Sequence, residues 1–232
     1  MRWVGLAVLA LAACDGAESE PVAERDVAVG AAHSCEQFPQ GEDDGTAARP
    51  EVPAELAAFV TATETTVTVQ RDSGTPACID IAYGEVDAWD SLAEGRLLGV
   101  GISGHEYNSY LVVDRRSAAE PVETGRAPTF SPSGARFASV DVSEAAFGAF
   151  EALGVWEVGD ASVRNVVLIE DLLGRGNDWR LERWASEDCL VFSTAADPSG
   201  VDLQERKFHE LRLTGRPALR DLPGEDVCRP PA

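Results

Sequence analysis

Lysine occurs once in the 232 residues, at Lys207, and arginine supplies the other 18 basic side chains against 40 acidic ones, for a formal charge of −21. That shortage of positive charge excludes two classes of partner. Proteins bind a phosphate backbone by replacing its counterions with Lys and Arg, so nucleic acid is not an expected partner. An anionic lipid surface repels an acidic domain for the same reason. Histidine is scarce too, and His33, His105 and His209 lie too far apart for a helical zinc motif. No Cys-x-x-Cys occurs, which removes the zinc knuckle and the thioredoxin-type redox motif. No apolar run approaches the roughly 20 residues that a membrane-crossing helix needs. Neither a metal nor a cofactor is expected.

Several motifs that carry chemistry are present only in part. Gly101-Ile102-Ser103-Gly104-His105 falls one residue short of the Gly-x-Ser-x-Gly nucleophile elbow, and strand-like sequence on both sides argues for a turn. Gly174-Arg175-Gly176-Asn177-Asp178 has two glycines of a dinucleotide loop without the third, ahead of a strand rather than a helix. A carboxylate pair could serve a glycan hydrolase, and Asp178 and Glu182 beside Trp179 and Trp184 form the first pair to inspect, since sugars stack on indole faces. With 40 acidic residues, however, some pair always lies within reach. Two core tryptophans with solvated neighbours are the simpler account.

The N-terminus bears on location. Met1-Arg2 supplies one positive charge, residues 3–11 form a short apolar run, and Leu11-Ala12-Ala13-Cys14 is a small-residue cleavage site ending in cysteine. This pattern marks a processed export signal. It resembles the bacterial lipobox, and the resemblance implies cleavage before Cys14 and acylation of that cysteine, so that more than one acyl chain anchors the protein stably. Residues 1–13 are then a signal peptide, and the mature chain, without Arg2, carries 18 basic against 40 acidic residues. Residues 14–34 contain Asp15, Glu18, Glu20, Glu24 and Asp26 and no aromatic side chain, the composition of a flexible acidic tether. Residues 35–232 form a single β-rich domain, placed in the bacterial cell envelope and facing the periplasm or the exterior.

Setting Cys14 aside leaves Cys35, Cys78, Cys189 and Cys228, an even set in an exported chain. Oxidising compartments let such cysteines pair, and four of them allow three connectivities. Cys35 with Cys78 and Cys189 with Cys228 is favoured, because each bridge would tie a terminal segment onto the sheet. One bridge with two buried thiols is the alternative.

The pattern along the domain is one of strands. Residues 54–60 read as a two-turn helix with Leu56, Phe59 and Val60 on one side. Residues 65–70 and 78–83 alternate with β-branched side chains and form a hairpin around Asp72-Ser73-Gly74. Residues 97–102 and 110–114 make a second pair. Phe130-Ser131-Pro132-Ser133-Gly134 is a tight turn between two strands, followed by a strand carrying Trp156 and a fourth ending in Val166-Val167-Leu168-Ile169. Trp184-Ala185-Ser186-Glu187-Asp188 recurs 54 residues after that turn, and Leu211-Arg212-Leu213-Thr214-Gly215 follows the Trp156 segment at an offset of 55.

This arrangement resembles the blades of WD40 and periplasmic PD40-like repeats, whose first turn is Phe-Ser-Pro-Asp-Gly; here Ser133 replaces the aspartate. Residues 97–213 also resemble a group of bacterial envelope proteins with a Tyr-Leu-Val-Val-Asp-like strand, a Phe-Ser-Pro-x-Gly-like turn and a short Trp-bearing strand in that order. The resemblance implies an all-β fold of antiparallel, propeller-blade-like sheets. About twelve strands suffice for roughly three blades, fewer than the four to eight of a closed propeller. An open or degenerate propeller is therefore expected, the other reading being that the N-terminal strands complete an unusual fourth blade.

Resemblance to a blade carries no chemistry of its own. Residues 143–153 interrupt the central blade, with Phe147 and Phe150 at helical spacing. These rings either cap the sheet edge or form a patch for a partner. The leading expectation is a non-enzymatic binding or scaffolding protein of the envelope, whose partner is another envelope protein or cell-wall glycan. The rivals are a glycan-acting hydrolase and a small-ligand or cation sensor using the acidic loops. Replacement Cys14→Ala is expected to move the protein from the membrane fraction to the soluble fraction on cell fractionation; retention in the membrane would refute the anchor.

Overall fold

A computed structural model describes residues 35, 48–105, 107–142, 148, 150–172, 176–197 and 205–222. Cys14, the signal peptide, the tether, Phe147 and Cys228 lie outside them, and every described residue falls in the compact unit Ala32–Ala232.

The domain is all-β and consists of four antiparallel meanders taken in chain order. The first sheet contains β1 (Val60–Ala62), β2 (Thr66–Val69) and β3 (Ala77–Asp80). The second contains β4 (Glu85–Leu92), β5 (Leu97–Gly104), β6 (Tyr107–Asp114) and β7 (Val122–Glu123). The third is built from β8 (Thr129–Phe130), β9 (Arg136–Asp141), β10 (Ala152–Val158) and β11 (Val163–Ile169), and the fourth from β12 (Arg180–Ser186), β13 (Cys189–Ala195), β14 (Arg206–Arg212) and β15 (Ala218–Asp221). The three four-stranded sheets are the expected blades, and the N-terminal strands add a three-stranded sheet beside them. Among the described residues no helix is long and apolar enough to cross a membrane.

Strand geometry explains how the sheets stack. Successive side chains point to opposite faces, and β5 is apolar at both parities: Leu98, Val100 and Ile102 pack against the first sheet, while Leu97 joins the cluster shared with the third. In β6, Val113 faces the first sheet, and Tyr110 and Val112 face the third. The third sheet repeats the scheme. Phe137 and Trp156 meet the second sheet, whereas Ala138, Val140, Leu153 and Val155 meet Trp179, Leu190, Phe192 and Leu211 of the fourth. Three cores thus join four sheets in a row. Among the described residues no apolar cluster joins the fourth sheet back to the first, which is the open arrangement.

Arginines fasten each junction. Arg71 donates to the carbonyls of Ala118 and Ala119 (3.2 and 2.6 Å), and the Arg115 guanidinium lies 3.8 Å over the Phe59 ring, so the first sheet is held to the second. Arg96 pairs with Asp114 at 2.9 Å and donates to the Gly159 carbonyl of the third sheet at 2.6 Å. Asp114 holds that guanidinium more firmly protonated than usual, an effect that outweighs the opposing cost of burial. Arg136 reaches the fourth sheet, donating to the Glu187 carbonyl and to Asp188 (2.9 and 2.7 Å).

Two local readings change, and one pairing stands. Residues 54–59 form successive turns instead of a helix: Pro53 accepts from the Leu56 and Ala57 amides, and by Val60 the chain has entered β1. Leu56 and Val60 are nonetheless core residues, and Phe59 packs against the same core, so the apolar spacing recorded burial correctly and misread the backbone. Strand β4 escaped the reading of the sequence because Glu85, Asp87 and Asp90 dilute its alternation and a register shift falls between Val86 and Ala88. The Cys35–Cys78 bridge is present, with Cα atoms 5.7 Å apart, and Cys189 is also disulfide-bonded. Cys228, the partner expected for Cys189, lies outside the described residues.

The core between the second and third sheets is aromatic. Phe137 and Trp156 stack with centroids 5.2 Å apart, and Phe150 sits 5.7 Å from Trp156. The Trp156 ring lies across Gly154 on its own strand, where an added Cβ would fall inside the indole. Gly154→Ala is therefore expected to push the ring off its seat and destabilise the domain by about 1–3 kcal/mol. In urea unfolding the midpoint should fall at unchanged slope; an unchanged midpoint would show that the indole has room to move.

Candidate binding cleft

A cleft of about 510 Å³ lies at the seam of the second and third sheets. Strands β4, β5 and β6 bring Asp87, Gly101, Asn108 and Ser109 to it, the segment after β7 brings Gly125 and Arg126, and the end of β9 brings Asp141. A parallel bridge between Asn108 and Gly148 ties the strand that opens the cleft to the segment following β9.

Close backbone approach shapes the walls. A Cβ at Gly101 would stand 2.5 Å from Asp87 Oδ1, so glycine lets that carboxylate lie over β5. Gly125 adopts φ +69°, and a Cβ there would meet the Asp141 side chain at 2.7 Å. Left-handed backbone and close packing coincide at this position, and only glycine satisfies both.

The polar groups are set by hydrogen bonds on the strands. Ser109 donates to Glu123 Oε1 and the Tyr110 hydroxyl to Asp90 Oδ2, each at 2.6 Å. Burial, and after it the neighbouring Asp90 carboxylate, push the Tyr110 phenol far above its ordinary range, so it acts as a neutral donor. Arg126 pairs with Asp141 at 2.7 Å; the carboxylate side chain is 8% exposed and the guanidinium side chain 63%. Arg126 and Ala127 also line a second hollow of about 200 Å³ that reaches Trp179 and Leu181 at the seam of the third and fourth sheets. Arg126 therefore lines both openings.

Residues singled out from the sequence are distributed differently. Phe150 is half-buried and packs with the core shared by the second and third sheets. Trp179 is 2% exposed, its indole N–H donates to the Gly176 carbonyl, and its ring rests 4.8 Å from that of His209. No indole face is presented to a sugar at this position. Asp178 pairs with Arg206 and Arg180 at 2.5 and 2.6 Å. Burial raises its pKa, but the two guanidinium groups together more than cancel that and hold the carboxylate below its ordinary range. Glu182 accepts from the Ser193 hydroxyl. The segment 101–105 runs along β5 into its turn with β6, as expected for a turn rather than a nucleophile elbow.

One constellation could not be seen in the sequence. Thr194 Oγ1 lies 3.1 Å from His209 Nε2, and His209 Nδ1 lies 3.0 Å from Asp221 Oδ1. The order hydroxyl, imidazole, carboxylate matches a nucleophilic triad. Its hydroxyl is sealed, however: Thr194 and His209 are each 1% exposed, and Gly176 is packed onto the Thr194 side chain. Three adjacent strands supply the three groups, so no spacing along the chain announces them. As folded, the array satisfies buried polar groups and offers no nucleophile to a substrate. Among the described residues no three His, Cys, Asp or Glu side chains converge as a metal site.

Ser133 contributes at the next seam. Its amide and hydroxyl each donate to Glu187 at 2.7 Å, so turn positions 54 residues apart meet across the seam of the third and fourth sheets. No protein-family model matches the chain, and no curated protein matches it significantly.

The Ser133 hydroxyl first, with Ser131, the Ser133 amide and Arg136 adding to it, holds the Glu187 carboxylate below its ordinary range against a smaller opposing effect of desolvation. A carboxylate that binds its proton less tightly when folded contributes stability above its unfolded pKa and loses it as pH falls through the folded one. Glu187→Gln should accordingly flatten the acid-side decline in stability measured by urea unfolding at successive pH values. Parallel declines in the native and variant chains would show that the contact adds nothing.

Proposed function

We propose that this chain is a lipid-anchored, extracytoplasmic binding protein of the bacterial cell envelope that takes a short polar segment of cell-wall glycan into the cleft between its second and third sheets. The observation that carries this reading is the cleft itself. Hydroxyl, amide, carboxylate and guanidinium groups converge there from strands of two sheets, and such mixed donors and acceptors suit a ligand rich in hydroxyl and amide groups. Concavity favours a small segment over the flat face of a partner protein, and Phe150, half of the expected docking patch, is taken up by the core. The lipobox-like N-terminus supports the address, and the negative charge keeps the domain clear of anionic head groups.

Binding is favoured over hydrolysis by the state of the reactive groups. Asp178 is committed to two arginines, and the Thr194 hydroxyl is sealed. A retaining or inverting glycosidase needs two carboxyl groups free to flank the bond it cleaves.

The test is titration calorimetry of the purified full chain with soluble disaccharide-peptide fragments of cell wall. Asn108→Leu and Asp87→Asn are each expected to weaken binding about tenfold, the effect of losing one hydrogen bond of roughly 1.4 kcal/mol. Arg164→Ala, on β11 away from the cleft, should leave it unchanged. An absence of heat with the native chain, or equal affinity in all four proteins, would refute the proposal.

A further inference from the structure

The hairpin of the last two strands carries a further hollow of unusual charge. A groove of about 380 Å³ is lined by Arg212, Thr214, Arg216, Ala218 and Arg220. In a chain with 40 acidic residues, three guanidinium groups around one opening reverse the prevailing sign. Register explains their convergence. Arg212 pairs across the ladder with Ala218, and Glu210 with Arg220. Side chains two apart on a strand share a face, so Arg212, Ala218 and Arg220 lie together, and Arg216 follows the turn at Gly215, whose φ is +74°. Ala218 keeps the floor open between the larger side chains.

The three arginines are not equivalent. Arg212 is braced by Glu210, with Nε–Oε1 at 2.8 Å and Nη2–Oε2 at 3.3 Å. Arg216 and Arg220 are exposed, and among the described residues neither guanidinium makes a hydrogen bond or an ion pair. One guanidinium is thus held in place by a carboxylate, and two others at the same groove have no ion-pair partner among the described residues.

We infer that this groove is an anion site for a phosphate group carried on a small soluble molecule, such as a phosphorylated sugar. Arginine presents its donors in a planar fork that matches phosphate oxygens. A carboxylate is satisfied by one such fork; the two exposed forks of Arg216 and Arg220, beside the one that Glu210 braces, suit the larger charge and the additional oxygens of a phosphate ester. The volume exceeds that of a bare anion, leaving space for the group that bears it. Anionic membrane lipid carries the same phosphate chemistry, but a domain of this net charge is repelled by such a surface, which favours the soluble source. The inference is independent of the glycan cleft, since the two hollows have no lining residue in common.

Calorimetric titration of the purified full chain with glucose 1-phosphate, with glucose as the neutral control and phosphatidylglycerol vesicles in a parallel sedimentation assay, tests it. The sugar phosphate should bind, glucose should not, and affinity should fall as salt is raised. The double replacement Arg216→Ala with Arg220→Ala should weaken binding more than tenfold, and Ala218→Trp, which fills the floor, should abolish it, with circular dichroism confirming that both variants fold. Arg183→Ala, on β12, should bind as the native chain does. Equal binding of glucose, unchanged affinity in the double variant, or no binding of the sugar phosphate would each overturn the site. Binding to the vesicles alone would overturn the soluble source.

Discussion

Everything in this domain depends on the two sheets in the middle being apolar on both faces. A sheet with one wet face needs a single partner, and two such sheets would end the structure as a sandwich. Here β5, β6, β9 and β10 bury side chains of both parities, Leu97 against Leu98 and Phe137 against Ala138. Each middle sheet therefore requires a neighbour on either side, and a row of four is the shortest arrangement that covers both. Burying such side chains contributes about 1.5–3 kcal/mol each, and that term outweighs the polar detail that decorates the seams.

The seams then settle the relative placement of the sheets. Apolar packing is non-directional, whereas a guanidinium donating to a particular carbonyl is not. Arg71, Arg96 and Arg136 each cross from one sheet to the next and end on backbone oxygens. A buried arginine without such partners would be a liability. The contact between Ser133 and Glu187 adds a further fixed point. A carboxylate at position 133 would face the one at Glu187, and the serine avoids that repulsion.

A seam is one place where polar groups can surround open space. Within a sheet the backbone is consumed by its own ladder, and within a core there is no polar group to spare. At the edge of the seam between the second and third sheets, Asp87, Asn108, Ser109, Arg126 and Asp141 come from separate strands and surround open space. The buried pair of Thr194 and His209, which Asp221 meets from the exposed side, shows the converse: a hydroxyl and an imidazole of the type catalysis uses, turned inward between neighbouring strands.

Much of the architecture was legible along the chain, because strand alternation and turn chemistry are local. The hairpin over residues 65–83, the Ser131–Gly134 turn with its proline and glycine, the Trp156 strand and the bridge of Cys35 with Cys78 all stand where spacing and residue type put them. The turns at 54–59 and the acidic strand β4 did not, since a short apolar spacing fits more than one backbone and a strand diluted by carboxylates loses its period. The cleft and the arginine groove were beyond such a reading altogether. Asp87 and Asp141 line one cleft only because two meanders pack face to face, and Arg212 joins Arg220 only through the register of a ladder. Local sequence determined which segments pair; the packing of sheet on sheet decided which polar groups meet, because it brings together residues whose separation along the chain carries no signal.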